Sequence, residues 1–190
     1  LAQFIAPVPA QTSQFSQLAM STPVAPAPSS PFSAQRWQAL CDALAVPPAH
    51  AARQRFADVQ AAYAEPQRHY HTAQHIGECL AQLDAVAAHL QDAPLVELAI
   101  WLHDLVYDPP AKDNEARSAE LAQHWFAGAL APERVQRLAN WINATRLHDA
   151  APQDADLQAL LDIDLAILAA APARFAQYEA QVAREYAHVP

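Results

Sequence analysis

The chain has 190 residues and a formal net charge of −9; 53% of its residues are hydrophobic and only two are glycine. Its eleven basic residues are scattered, which argues against the clustered Lys and Arg surface that binds a long nucleic acid or an anionic membrane. An all-β fold would need more glycine-bearing turns, and the abundance of Ala and Leu favours helix. The length suits one all-α domain with a tail.

Residues 1–32 contain six prolines among Gln and Ser, a composition typical of a flexible lead. Met20 is the only methionine, and we expect the natural chain to start there, with residues 1–19 foreign to it. A signal peptide begins with a basic region, but no basic residue precedes Arg36. Cys41 and Cys79 fit buried free thiols in a reducing compartment. We therefore expect a cytoplasmic protein that does not span a membrane.

From Ser33 to the end at residue 190, the sequence predicts a helical domain with eight helices. Ser33 and Thr72 are expected N-caps, because a hydroxyl there can accept a bond from the first turn. Pro94, Pro132 and Pro172 are expected in first turns, where the missing N–H costs nothing. The predicted spans are approximately 33–46, 50–64, 73–91, 94–108, 114–127, 132–147, 157–169 and 172–187.

The fourth and seventh predicted helices are apolar on nearly all sides, which is typical of buried helices. Charged groups inside them are costly unless they are paired or bind a metal. The fourth ends with His103 and Asp104, and the seventh contains Asp164. His71 and His75 lie four residues apart near the start of the third helix and share one face. Imidazoles and carboxylates are natural ligands of a divalent metal, so the pattern predicts a metal site.

Four phrases along the chain carry a family resemblance: RHYHTAQHI, AIWLHDLVYDP, DNEARSAE and LLDIDLAILAA. In this order they resemble the HD superfamily of metal-dependent phosphohydrolases, and in particular an uncharacterised bacterial branch of predicted HD phosphohydrolases. The resemblance covers most of residues 60–190. It implies a compact helical bundle whose metal ligands are His75, His103, Asp104 and Asp164.

Cyclic-nucleotide phosphodiesterases, distant relatives in that superfamily, carry a His-Asn-x-x-His segment in which the second His binds metal and the first donates a proton. The resemblance implies that role for His71, although Thr72 stands where those relatives have Asn. In the same relatives the last metal Asp is followed by Leu, which selects Asp164 over Asp162. The resemblance also allows Asp104 to bridge two metals and thus take part in catalysis.

A second set of candidates lies around these residues. Asp108 and His148 could orient water or hold a second metal. Arg68, Lys112 and Arg146 are candidates for phosphate recognition, since a guanidinium can bind phosphate oxygens in a bidentate fashion. A solvated surface position remains the alternative for each of them.

The resemblance implies hydrolysis of a small phosphorylated compound, a nucleotide at family level, by attack of metal-bound water. Two His ligands favour one or two ions of Mn, Fe, Ni, Co or Zn over Mg. The alternatives are a non-catalytic metal- or nucleotide-binding sensor and a di-iron oxygenase. A buried ion-pair cluster without metal, or a zinc site using Cys79, would also fit the residues. Similar sequences continue further, so we expect a C-terminal piece beyond Pro190.

Overall fold

The computed structural model describes residues 30–151 and 153–188. Within these residues the chain forms eight α-helices and no β-strand, which confirms the predicted all-α bundle. The helices are α1 (Ala34–Ala43), α2 (Phe56–Ala62), α3 (Ala73–Val86), α4 (Ala93–Leu102), α5 (Asn114–Phe126), α6 (Pro132–Ala144), α7 (Ala155–Asp164) and α8 (Pro172–Glu185). Short 3-10 helices cover Ala51–Gln54, Ala87–His89 and Leu165–Ala169.

Both predicted N-caps are confirmed. The Ser33 hydroxyl accepts a hydrogen bond from the backbone N–H of Arg36, and the Thr72 hydroxyl accepts one from Gln74, each at 3.3 Å. Asp92, which the sequence did not single out, caps α4 by accepting from its first turn. These caps fix where the helices that position the site begin.

α4 is the central helix of the bundle, as its apolar sequence predicted. It packs against α1, α3, α5, α6 and α7, and every residue from Leu98 to Leu102 is buried. The ring of Trp101 contacts those of Trp37 and Phe32, with centroids 5.6 and 4.8 Å apart. Residue 32 therefore belongs to the fold rather than to the flexible lead. The rest of that predicted lead, residues 1–29, lies outside the described residues.

α4 ends at Leu102, earlier than the sequence predicted. In a longer helix the carbonyl of Leu105 would accept from the N–H of residue 109, but Pro109 has none. The Arg68 guanidinium donates to the carbonyl oxygens of Asp104 and Leu105 instead, at 2.6 and 3.0 Å. The predicted His-Asp pair thus lies in an irregular turn directly after the central helix.

The seventh predicted helix is two elements. α7 ends at Asp164, and the chain tightens into the 3-10 helix Leu165–Ala169. The second predicted helix is divided in the same way, into Ala51–Gln54 and Phe56–Ala62. Asp164 consequently lies at a junction between two helical geometries. No helix in the described part of the chain has both the length and the apolar character needed to cross a membrane.

Candidate metal centre

The four predicted metal ligands meet at one point. His75 comes from α3, His103 and Asp104 from the turn after α4, and Asp164 from the end of α7. The Nε2 atom of His75 lies 3.3 Å from Nε2 of His103 and 3.1 Å from Oδ1 of Asp164. The Nε2 atom of His103 lies 3.1 Å from Oδ2 of Asp104 and 3.4 Å from Oδ1 of Asp164.

These spacings fit a divalent metal. Ligand atoms about 2.1 Å from a shared ion lie about 3.0–3.5 Å from one another at tetrahedral or octahedral angles. The spacing from His75 Nε2 to Asp104 Oδ2, 3.7 Å, is close to this range. Three of the four, His75, His103 and Asp104, form a group whose ligand atoms all lie within 4.8 Å of one another. The donor set, two imidazoles and two carboxylates, is one that transition metals accept.

The backbone selects the ring atom that His103 offers to the cluster. Its Nδ1 lies 2.9 Å from the carbonyl oxygen of Ile100, and because a carbonyl only accepts, Nδ1 carries the proton. The Nε2 atom, which faces both carboxylates, is then available as a ligand. Such a second hydrogen bond is the usual way in which proteins orient a metal-binding imidazole.

The cluster favours positive charge. Burial alone would raise the pKa of Asp104 and of Asp164, but His103 and its neighbouring imidazoles hold both below their ordinary range. Burial alone would lower the pKa of His103, but the two carboxylates raise it well above its ordinary value. A divalent ion would take the place of the proton that the carboxylates draw to His103, and binding would release that proton.

Cys79 lies beside the cluster, with its Sγ 3.6 Å from Nδ1 of His75. Together with His75 and Asp164 it forms a second possible metal-binding group. Burial, supported by the charge of Asp164, raises the pKa of the Cys79 thiol well above its ordinary value. A bound metal would itself deprotonate the thiol, so Cys79 stays a second candidate ligand beside His75 and Asp164. Cys41 is also free and buried.

Arg68 has a different role from the one predicted. Its fully buried guanidinium donates to the carbonyl oxygens of His71, Asp104 and Leu105 and to the carboxylate of Glu65. These bonds occupy all three nitrogens, so we no longer expect Arg68 to bind phosphate. It ties the segment before α3 to the turn after α4, and thereby positions residues from both.

Glu185 of α8 organises the segment that carries His71. Its Oε1 accepts the backbone N–H groups of His69, Tyr70 and His71 at 2.6, 2.7 and 3.0 Å. Its Oε2 accepts the Tyr107 hydroxyl at 2.9 Å and lies 2.7 Å from Nδ1 of His71. A carboxylate only accepts, so Nδ1 of His71 is protonated and Nε2 is the ring atom left to act elsewhere.

The same contact sets the charges of this pair. Burial alone would raise the pKa of Glu185, but the hydrogen bonds from His71 and from the backbone lower it to about 2. Burial alone would lower the pKa of His71, but the carboxylates of Asp104 and Glu185 raise it. The protonated form of His71 is therefore favoured, which is the form that an acid needs.

A polar pocket of about 260 Å³ opens beside the cluster. It contains His71, Asp104 and Asp164, and two of the predicted phosphate-binding residues, Lys112 and Arg146, also lie in its wall. The residues that line it are His71, Asp104, Tyr107, Ala111, Lys112, Asn114, Glu115, Thr145, Arg146, His148, Asp164 and Tyr186.

Of the two candidates for orienting water or holding a second metal, His148 lies at the site and Asp108 does not. His148 joins the site, because its Nε2 lies 3.0 Å from Oδ2 of Asp164. Asp108 does not line the polar pocket; it is exposed, and its backbone is bonded in both directions to the side chain of Asn114. A helix over the predicted span 94–108 would place Asp108 on the same side as Asp104, but α4 ends before either residue.

A larger depression, which we call the apolar recess, also borders Asp164. Its volume is about 560 Å³. Its lining residues are Tyr70, His75, Glu78, Cys79, Gln82, Asp162, Ile163, Asp164, Ala166, Ile167, Ala169, Ala170, Ala171 and Arg174. His75 and Asp164 make the recess directly adjacent to the His-Asp cluster.

No protein-family model, curated protein or solved structure matches this chain. The family suggested by the sequence therefore stays a prediction, and the case for function depends on the site itself.

Proposed function

We propose that this protein is a metal-dependent phosphohydrolase of the HD type that acts on a small phosphorylated compound. The observation that carries the proposal is the placement of His71 in the same polar pocket as Asp104 and Asp164, two members of the His-Asp cluster. An acid next to a metal site, in a pocket with basic side chains, is the set of groups that phosphate hydrolysis requires.

The cluster is suited to a transition metal. His75 and His103 would supply nitrogen ligands, and Asp104 and Asp164 would supply two negative charges that balance one divalent ion. Nitrogen ligands favour Mn, Fe, Co, Ni or Zn over Mg. When bound, such an ion supplies Lewis acidity and lowers the pKa of a coordinated water to near neutrality.

His71 is the proton donor in this proposal. Glu185 holds its Nδ1, so Nε2 is the atom available to protonate a leaving oxygen. The carboxylates of Asp104 and Glu185 raise the pKa of His71, which favours its protonated form. Because Glu185 also accepts three backbone N–H groups of the same segment, the imidazole cannot turn without breaking the bonds around it.

Lys112 and Arg146 are the groups that would meet phosphate oxygens. Both are exposed side chains that line the polar pocket, and both are positive in a chain whose net charge is −9. A cationic rim on an acidic protein attracts a small anion to this pocket. Arg68 is not one of these groups, because its guanidinium already donates to the carbonyl oxygens of Asp104 and Leu105.

The test begins with elemental analysis of the purified full chain. The protein is then stripped, loaded with each transition metal in turn, and assayed for phosphate release from monoesters, diesters, pyrophosphate and nucleotides. We expect turnover with at least one metal, abolished in Asp164→Ala and retained in Asp162→Ala, since Asp162 is exposed two residues away.

Two outcomes would overturn the proposal. Stoichiometric metal without turnover on any substrate class would indicate a metal-binding protein without hydrolase activity. Bound iron with a visible absorption spectrum that changes under oxygen would indicate oxygen chemistry, in which His148 could serve as an additional ligand.

A further inference from the structure

His148, in the wall of the polar pocket, has a backbone conformation that side chains rarely adopt. It lies in the turn after α6, and its φ angle is +50°. Its backbone N–H donates to the carbonyl oxygen of Ala144 at 2.9 Å, which ends the helix in the left-handed conformation that glycine most often provides. A Cβ atom is disfavoured in this conformation. An imidazole at a position that glycine would occupy more easily indicates that the ring itself is needed there.

The ring of His148 contacts one oxygen of a proposed metal ligand, Asp164, whose two carboxylate oxygens have separate partners. Oδ1 faces the cluster, 3.1 Å from Nε2 of His75 and 3.4 Å from Nε2 of His103. Oδ2 lies 3.0 Å from Nε2 of His148. Because a carboxylate only accepts hydrogen bonds, Nε2 of His148 carries a proton and donates to Oδ2.

A metal ion between His148 and Asp164 would lack further protein ligands. In the part of the chain that the structure describes, two groups bring three possible ligand atoms within 4.8 Å of one another, and neither group includes His148. Transition-metal sites in proteins usually have at least three protein ligands. The contact between the two side chains is therefore a hydrogen bond rather than the beginning of a second metal site.

We infer that His148 is a positioning residue of the metal centre, which holds Oδ2 of Asp164 so that Oδ1 is directed at the ion. The carboxylate torsion of an aspartate is broad and roughly two-fold, so without this bond either oxygen is free to face the cluster. The carbonyl oxygen of Ile100 orients the ligand His103 in a comparable way, and such supporting bonds are general in metal sites. The inference rests on the metal-binding part of the proposed function and does not depend on hydrolysis.

The experiment compares variants that separate the ring of His148 from its backbone. His148→Gly removes the ring and supplies the residue that the φ angle favours. His148→Gln removes the ring but keeps an N–H donor at the end of the side chain. Ala45→Gly is the matched backbone control, because Ala45 is exposed after α1 with a φ angle of +55° and lies outside the pocket lining.

Zn(II) affinity is measured on the stripped full chain by competition with a chromophoric chelator, and circular dichroism checks the fold. We expect His148→Gly to bind Zn(II) about 10- to 100-fold more weakly than wild type, the usual effect of removing a group that orients a ligand, and His148→Gln to stay within about threefold. Ala45→Gly should keep the affinity of wild type. The variant with the more favourable backbone should thus have the weaker site, an order that a role in ending α6 would not produce.

If His148→Gly does not fold, His148→Asn takes its place, because asparagine also tolerates this conformation and its side chain is too short to reach Oδ2. Equal affinity of wild type and of the folded glycine or asparagine variant would overturn the positioning role, and so would an equal loss in His148→Gln. Two bound ions in wild type, with one lost and the other held as tightly in His148→Gly, would make His148 a ligand instead.

Phosphate release separates this inference from the proposed function. Zn(II) affinity that depends on His148, in a protein that hydrolyses no phosphate ester, would keep the positioning role and remove the hydrolase. Hydrolysis by wild type, with equal Zn(II) affinity in wild type and His148→Gly, would keep the hydrolase and remove the positioning role. Absence of Zn(II) binding to wild type would overturn both.

Discussion

α7 carries a buried or partly buried carboxylate at each end, and the two have different partners. Asp156, in its first turn, is 1% exposed. Its two oxygens accept the backbone N–H groups of Gln91 and Asp92 at 2.9 and 2.8 Å, and Arg137 lies 3.8 Å away. Asp164, at the last residue of the helix, pairs with three imidazoles, those of His75, His103 and His148.

The two carboxylates differ in whether their partners can give up a proton. Backbone N–H groups are fixed donors, so Asp156 is satisfied whatever the solution contains. Imidazoles lose a proton readily, so the charge around Asp164 can be supplied by protons or by a metal ion. Burial alone therefore does not identify a functional carboxylate; the chemistry of its neighbours does.

The largest expected effect, on metal content and turnover, follows from removing the carboxylate of Asp164 at the end of α7. Asp164→Ala should lose bound metal and fall to background turnover, and Asp104→Ala should behave in the same way. Added metal should no longer raise the melting temperature of either variant, because that gain comes from binding to the folded state. Elemental analysis, phosphate release and thermal melts measure the three effects. Unchanged metal content in either variant would remove that residue from the ligand set.

A second test concerns His71, whose carboxylate partner, Glu185, also holds backbone N–H groups as Asp156 does. His71→Ala should keep metal yet lose about 10²–10⁴-fold in turnover, the usual contribution of a general acid. The loss should be smaller for 4-nitrophenyl phosphate, whose leaving group needs little protonation. His69→Ala, two residues earlier on the same segment, is the control. Equal losses on good and poor leaving groups would reduce His71 to positioning, and loss of metal would make it a ligand.

The opposite end of α7 should respond in stability rather than in metal binding. Asp156→Ala leaves two backbone N–H groups without their acceptor, at a cost of about 1–3 kcal/mol each. We expect the free energy of unfolding to fall by about 3 kcal/mol in urea denaturation, with metal content unchanged. Loss of metal in this variant would show that the two ends of α7 are not independent.

The smallest effect is expected at the rim of the polar pocket. Lys112→Ala and Arg146→Ala should each raise KM for a phosphate ester by roughly two- to fivefold, since an exposed charge contributes about 1 kcal/mol or less. Added salt should reduce the difference from wild type. Arg117→Ala removes an exposed charge of α5 outside the pocket lining and should leave KM unchanged. An equal effect of all three substitutions would indicate net charge rather than a phosphate site.

The sequence predicted the helices because they follow from local pattern, whereas the choice of His75, His103, Asp104 and Asp164 as the proposed metal ligands came from the family resemblance. Apolar runs identified α4 and α7 as buried, and buried His and Asp in such helices require an explanation. Cap residues such as Ser33 and Thr72 fixed two helix starts. The predicted end of α4 was wrong because the turn after the helix depends on Arg68. Its guanidinium donates to carbonyl oxygens 36 and 37 residues further along the chain.

Glu185 and the recess could not have been predicted in this way. Glu185 lies in a helix whose sequence is strongly amphipathic and mostly charged or exposed, so nothing local distinguishes it from a surface glutamate. Its importance comes from partners 114 to 116 residues away. The recess likewise forms where side chains from α3, α7, the following 3-10 helix and α8 meet, and no local sequence pattern marks that position.

The position of Glu185 in α8 has a consequence for the order in which this protein matures. All four proposed metal ligands lie at or before residue 164, whereas the group that orients His71 comes from the last helix. A chain emerging from the ribosome exposes its N-terminal part first, so the ligands are all synthesised before α8 can dock. In the proposed function, the nascent protein would therefore contain the whole proposed ligand set before it contains the carboxylate that orients His71.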